Sequence, residues 1–215
     1  MTSRNVRTSF GPRSGAAVLA VAGTLLMAGC SGGAPADPGT GSPTPSQSAS
    51  PSVPPTPTPN AVYKPADASG PAQNVPVPVL PEVAKTETKE GAEAFTKYWF
   101  SVLSYAYETG DTVELSGLSK PECNFCQGLV TDIEAAWAED KWISGGQIEI
   151  PAATAKPASG ASMQVVLQVL QKELTIHNQD GSPYQEKTAA TNAGSVAMVD
   201  FAGTGWVVSD LGLIR

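Results

Sequence analysis

The side chains best equipped for redox or metal chemistry in this 215-residue chain are three cysteines and one histidine: Cys30, Cys123, Cys126 and His177. Cys123-Asn124-Phe125-Cys126 spaces two thiols as a short disulfide loop, a redox pair or half of a zinc site. A closed zinc site needs four ligands, and two Cys with a single His in the whole chain supply too few. A reactive dithiol at a helix N-terminus has a lowered pKa, but the βαβ context of a thioredoxin-like pair is missing. A structural disulfide between Cys123 and Cys126 is the expectation. Any imidazole-based mechanism must run through His177, which shares with Gln171, Glu173 and Thr175 what reads as the polar, solvated face of a strand. No Gly-x-Ser-x-Gly elbow or phosphate loop occurs, and Gly203-Thr204-Gly205 lacks the third glycine and following helix of a dinucleotide site. The sequence therefore assigns no catalytic residue, no cofactor and no metal.

Cys30 belongs to a different kind of chemistry. Arg4, Arg7 and Arg13 precede an apolar stretch, residues 16–28, in the order of a secretory leader. Thirteen residues fall short of the roughly 20 that span a bilayer. Leu26-Met27-Ala28-Gly29-Cys30 resembles a bacterial lipobox, with Met27 where Leu is usual. Small residues before the cysteine admit a peptidase, and its thiol takes up diacylglycerol. Residues 1–29 are thus read as a signal peptide. Cys30 becomes a lipidated N-terminus holding the protein on the outer face of the cell membrane through its fatty acyl chains. Export to an oxidising compartment also favours the Cys123–Cys126 disulfide.

Residues 30–81 are read as a tether. Between Ser31 and Pro81 stand fourteen prolines and three charged residues, Asp37, Lys64 and Asp67. Such a composition buries too little apolar surface to offset chain entropy, and runs such as Pro54-Pro55-Thr56-Pro57 favour extended polyproline II. A spacer into the cell wall is the expected role, with docking ligand or glycosylated stalk as alternatives. The formal charge is −7, and loss of the three leader arginines makes the product more acidic still. Nucleic acid, which needs clustered Lys and Arg, is excluded as a partner.

The elements that must position any site lie in residues 82–215, read as one domain. Ala92, Phe95, Trp99, Val102, Leu103 and Ala106 recur at three and four, the stripe of an amphipathic helix over about 86–110 with Gly110 past its end. Asp111 and Glu114 suggest a capping box for a short second helix. Leu129, Ile133 and Trp137 give a third, about 124–140. After Trp142 the period becomes two: Ile148 and Ile150; Met163, Val165, Leu167 and Val169; Ala197, Val199 and Phe201; Trp206 and Val208. A shift in phase at Leu170, Leu174 and Ile176 predicts a bulge or bend. Helices followed by antiparallel strands predict an α+β domain, its helices packed on a curved, cone-like antiparallel sheet.

The stretches Tyr105-Ala106-Tyr107-Glu108-Thr109-Gly110-Asp111-Thr112 and Leu118-Ser119-Lys120-Pro121-Glu122-Cys123-Asn124-Phe125-Cys126 resemble an actinobacterial lipoprotein family with a C-terminal domain of unknown function. The element order, closing on Gly205-Trp206-Val207-Val208, is similar to the nuclear-transport-factor-2-like fold. That resemblance implies a cone able to enclose a pocket, and no particular activity. Two functions are expected, both non-catalytic: a binding or scaffolding module meeting an envelope protein or wall polymer, or a carrier of a small apolar ligand in a pocket lined by Trp99 and its neighbours.

Overall fold

The computed structural model describes residues 62–214. The leader, Cys30 and the tether up to residue 61 lie outside them. Helix α1, Lys89–Thr109, starts where the Thr88 hydroxyl accepts from the Gly91 amide at 3.0 Å and stops at Gly110, whose φ of 75° is left-handed. A Cβ at Gly110 would stand 2.8 Å from the Trp137 ring. The predicted stripe is buried, and Thr96, Tyr98 and Phe100 are buried with it. α1 is therefore covered on more than one side.

Helix α2, Val113–Gly117, has no reciprocal capping box. The Asp111 carboxylate accepts from the Val113 amide at 3.1 Å, while Glu114 accepts instead from the Tyr98 hydroxyl. Helix α3, Asn124–Trp137, ends before Asp140 because Glu139 and Asp140 both take positive φ.

Six strands follow: β1 Trp142–Gly145, β2 Ile148–Pro157, β3 Ser162–Gln171, β4 Leu174–His177, β5 Thr191–Ala202 and β6 Gly205–Leu213. The antiparallel sheet β2-β3-β5-β6 packs one face on α1, while β1 and β4 form a separate two-stranded ladder. The phase shift after Val169 is thus a departure: β3 ends at Gln171, and Leu174 opens β4 in the other ladder. Irregularities between Glu149 and Ala152 and between Met198 and Val199 bend the large sheet. The second switches the inward phase of β6 from Trp206 and Val208 to Leu211. The outer edge of β6 is covered by the chain entering α3, where the Leu118 carbonyl accepts from Val208 and the Lys120 amide donates back to it.

Lys120 also grips Asp200 at 2.5 Å. Burial raises the Asp200 carboxyl, but hydrogen bonds from Lys120, Ser162 and Ser209 outweigh it and hold the pKa below its ordinary 3.8. A carboxylate depressed by folding stabilises the fold above its unfolded pKa, and that contribution is lost as pH falls through the folded value. Unfolding measured across pH 2 to 5, spanning ordinary carboxylate pKa values of about 4, is expected to show Asp200→Asn less acid-sensitive than wild type. At neutral pH the variant loses on the order of 1 kcal/mol. Parallel acid profiles would contradict this role.

Residues 62–81 pack on the domain, which corrects the boundary at residue 82 drawn from composition. Lys64 and Gln73 exchange backbone hydrogen bonds at 3.0 and 2.9 Å, closing a small loop through Asp67 and Gly70. The Tyr63 hydroxyl donates to Glu108 at 2.7 Å, Trp142 Nε1 donates to the Asp67 carbonyl at 2.8 Å, and Leu80 packs on the core. Residues 62–81 form a strap across the ends of α1 and β1. Proline-rich composition suppresses regular structure, but it does not prevent side-chain anchoring to a core elsewhere.

Candidate ligand-binding site

The structure places Cys123 and Cys126 at disulfide distance, with Sγ–Sγ 2.00 Å and Cα–Cα 5.3 Å. Cys123 is the N-cap of α3, and its sulfur accepts from the Cys126 amide at 3.3 Å. Both residues are fully buried, which suits a staple pinning the start of α3 and not a thiol that must meet a substrate. Replacing the pair by serine is expected to lower stability by roughly 2 kcal/mol, the value for so short a loop. Thiol titration of the native protein should find neither sulfur free; two fast-reacting thiols would restore the redox reading.

His177 is not on a solvated face. It is buried, stacked on Trp142 with ring centroids 5.4 Å apart. Its Nδ1 lies 3.1 Å from the Gly181 carbonyl and its Nε2 2.7 Å from Ser144 Oγ. In a neutral imidazole the carbonyl would fix the proton on Nδ1 and leave Nε2 to accept from Ser144, the tautomer a nucleophile and base would use. The geometry around the pair is closed, however. The nearby Asp67 carboxylate turns to Ser69, whose hydroxyl and amide hold its pKa low, and neither Ser144 nor His177 lines the cavities below. The pair knits the β1–β4 ladder under the strap. Among the described residues no three His, Cys, Asp or Glu side chains are grouped to hold a metal ion.

The larger cavity lies on the other face of that ladder. Pairing sets Ile143 opposite Ile176 and Gly145 opposite Leu174, so Ile143, Leu174 and Ile176 share the face away from His177. With Ile133 and Ala136 of α3 they floor a cavity of about 510 Å³. Residues 184–188 run beside β4, the Tyr184 amide donating to Ile176 and the Thr188 amide to Leu174. Their Tyr184, Gln185 and Thr188 form an exposed rim, and Asp132 of α3 forms another part of it. Tyr107 of α1 reaches in from below. Burial, then the Asp132 charge, push its phenol up to about 12, so it remains an O–H donor, with Gln171 beside it.

A second cavity of about 200 Å³ shares Tyr107, Leu129 and Gln171 with the first. Phe100 and Leu103 wall it from α1, and Val169, Ala193 and Ser195 from the sheet. The helix stripe facing the cavities is Phe100, Leu103 and Tyr107, which shares Leu103 with the predicted core stripe and otherwise follows Trp99 and Ala106 by one position. Trp99 is sealed in the core as the helix stripe predicts, and does not line the pocket as the carrier alternative had it, its Nε1 donating to Ser119 Oγ at 2.9 Å. The sequence did carry a signal for the polar tip. Gln171 continues the odd, inward phase of Met163, Val165, Leu167 and Val169, which sets an amide where an apolar side chain is due. Thr191, Ala193 and Ser195 lie opposite on β5, and side chains that small leave space unfilled.

A family model of unknown function matches residues 61–212. The chain belongs to the DUF6318 family. The DUF6318 match opens at the strap, in agreement with its packing against the domain. No curated protein matches the sequence significantly. Among solved structures, the intermembrane space region of the chloroplast protein ARC6 is similar at 7% identity and TM-score 0.45, over 60% of this chain and 97% of that one. A protein from Catenulispora acidiphila is similar at 11% identity and TM-score 0.38, over 58% and 89%. A protein with a cystatin-like fold from Caulobacter vibrioides is similar at 9% and 0.35, over 56% and 89%.

Proposed function

We propose that this DUF6318 protein is a non-catalytic carrier of a small amphipathic molecule, held on the outer face of the cell membrane by diacylglycerol on Cys30. The carrying observation is the 510 Å³ cavity with its apolar floor of Ile133, Ala136, Ile143, Leu174 and Ile176 under a polar rim. Its volume falls in the range of small-molecule sites, about 300 to 1,000 Å³, and such sites pair an apolar lining with a few convergent polar groups. Tyr107 and Gln171 supply those groups at the inner end. The leader and lipobox supply the location, since one lipidated cysteine carries enough buried CH₂ to anchor stably.

Calorimetric titration of the full chain with 2-naphthalenemethanol, a neutral apolar ring with one hydroxyl, tests the cavity. Saturable binding is expected, and its absence would overturn the carrier reading. Cys30→Ala should separately block labelling by radioactive fatty acid, leaving uncleaved precursor or released protein. Label absent from the wild type would overturn the anchor.

One observation favours a second reading, docking of an envelope protein or wall polymer. Val62, Val77 and Val79 stand 84%, 62% and 82% exposed along the strap, and exposed apolar groups mark interaction surfaces when they cluster. Crosslinking in cells should lose its product in Val77→Asp/Val79→Asp if this face docks, and an unchanged product would remove the reading.

A further inference from the structure

Neither cavity wall contains a lysine, arginine or histidine, and the single charged group on either is the carboxylate of Asp132. Among the described residues Asp132 takes part in no ion pair. Two lysines stand beside the rim: Lys141 is buried, holds Glu139 at 3.0 Å and lies 4.7 Å over the Tyr184 ring, and exposed Lys187 holds Glu173 at 2.8 Å. Both ammonium groups are already matched by carboxylates. Tyr107 and Tyr184 line the same space as Asp132, and the Tyr184 ring already carries the Lys141 ammonium.

We infer that the larger cavity selects an organic cation, an apolar ring or chain bearing an amine or quaternary ammonium group, and rejects anionic amphiphiles such as fatty acids. This rests on the carrier reading and narrows its ligand class. An ammonium group entering beneath the rim meets the Asp132 carboxylate next to the Tyr107 ring, a charge and an aromatic group of the kind that recognise organic cations elsewhere. A carboxylate entering there meets Asp132 at like charge, loses its hydration and finds no unmatched cation to replace it. The Tyr107 phenol, kept protonated by burial and by Asp132, can donate to a neutral hydroxyl or carbonyl. Neutral ligands therefore fall between the two charged classes.

The test is titration of the full chain at pH 7 with three probes of one shape: 2-naphthylmethylamine, 2-naphthalenemethanol and 2-naphthoic acid. The amine, protonated at that pH, is expected to bind about tenfold tighter than the alcohol, a cation–π and ion-pair contribution partly exposed to water. The acid is expected to bind weakest. Asp132 is exposed, so Asp132→Asn should fold normally and abolish the amine's advantage over the alcohol. If the alcohol binds while the amine binds no tighter, or if Asp132→Asn leaves the amine's advantage intact, the cation selectivity is wrong and the carrier reading stands. Tightest binding by the acid has the same consequence. If none of the three binds, the carrier reading falls and the selectivity falls with it.

Discussion

Trp99→Ala is expected to lower the stability of the domain by about 3 to 5 kcal/mol, the range for deleting a large aromatic side chain from a packed core. Trp99 is fully buried, meets Phe100 edge to face at 5.0 Å and donates to Ser119, whose own hydroxyl donates to the Leu115 carbonyl at 2.8 Å. Truncation removes the packing and also the bond that ties α1 to the segment covering the β6 edge. Against a typical total of about 5 to 15 kcal/mol, roughly a fifth or more would be lost. The midpoint should fall on the order of 10 °C for a domain of this size. Trp99→Phe keeps most of the ring contact and leaves Ser119 bonded to Leu115, so it should cost about 1 to 2 kcal/mol. Denaturant unfolding of the two variants checks both figures. Equal, small losses would show that Trp99 borders open space, as the pocket-lining alternative had it, and is not the keystone of the core.

Ala136→Phe is expected to weaken probe binding by at least about a hundredfold, which corresponds to roughly 2.8 kcal/mol. Ala136 is 7% exposed on the wall of the 510 Å³ cavity, in a small cluster with Ile143 and Leu174. A benzyl group there projects into space that a ligand's apolar body must occupy. Filling an existing cavity adds contacts without displacing core side chains, so stability should hold or rise slightly. Binding and stability are thereby separated. Loss of affinity with an intact melting transition identifies the cavity as the site, whereas undiminished affinity for 2-naphthalenemethanol would place binding elsewhere.

Local rules carried much of this fold. The six-residue stripe of α1, the left-handed Gly110, the start of α3 at Asn124 beside Cys123 and the alternation of β3, β5 and β6 follow from spacing and backbone preference alone. What escaped was set by contacts distant in sequence. His177 stands among Glu173, Thr175 and Asn178, and its polar neighbours read as a wet face. It is buried because Trp142 stacks on it and because the strap, joined to Trp142 through the Asp67 carbonyl, lies over that ladder. Lys141 is buried for the same kind of reason, under Tyr184 from a loop more than forty residues away. The strap itself was hidden by composition, since Pro76 and Pro78 suppress regular structure while Tyr63, Leu80 and Ala84 still find partners. The pocket was legible only in part. Gln171 signalled a polar inward position, but which face of α1 met it depended on how α3 and the second ladder closed around Tyr107.

The account stands on a ligand held in the larger cavity. Native mass spectrometry of the chain purified from its own cells, beside Ala136→Phe prepared identically, tests this most directly. The wild type should carry a bound small molecule, released on unfolding and positively charged at neutral pH, and the variant should carry none. A wild type that comes away empty, or a molecule retained equally by both proteins, would contradict it.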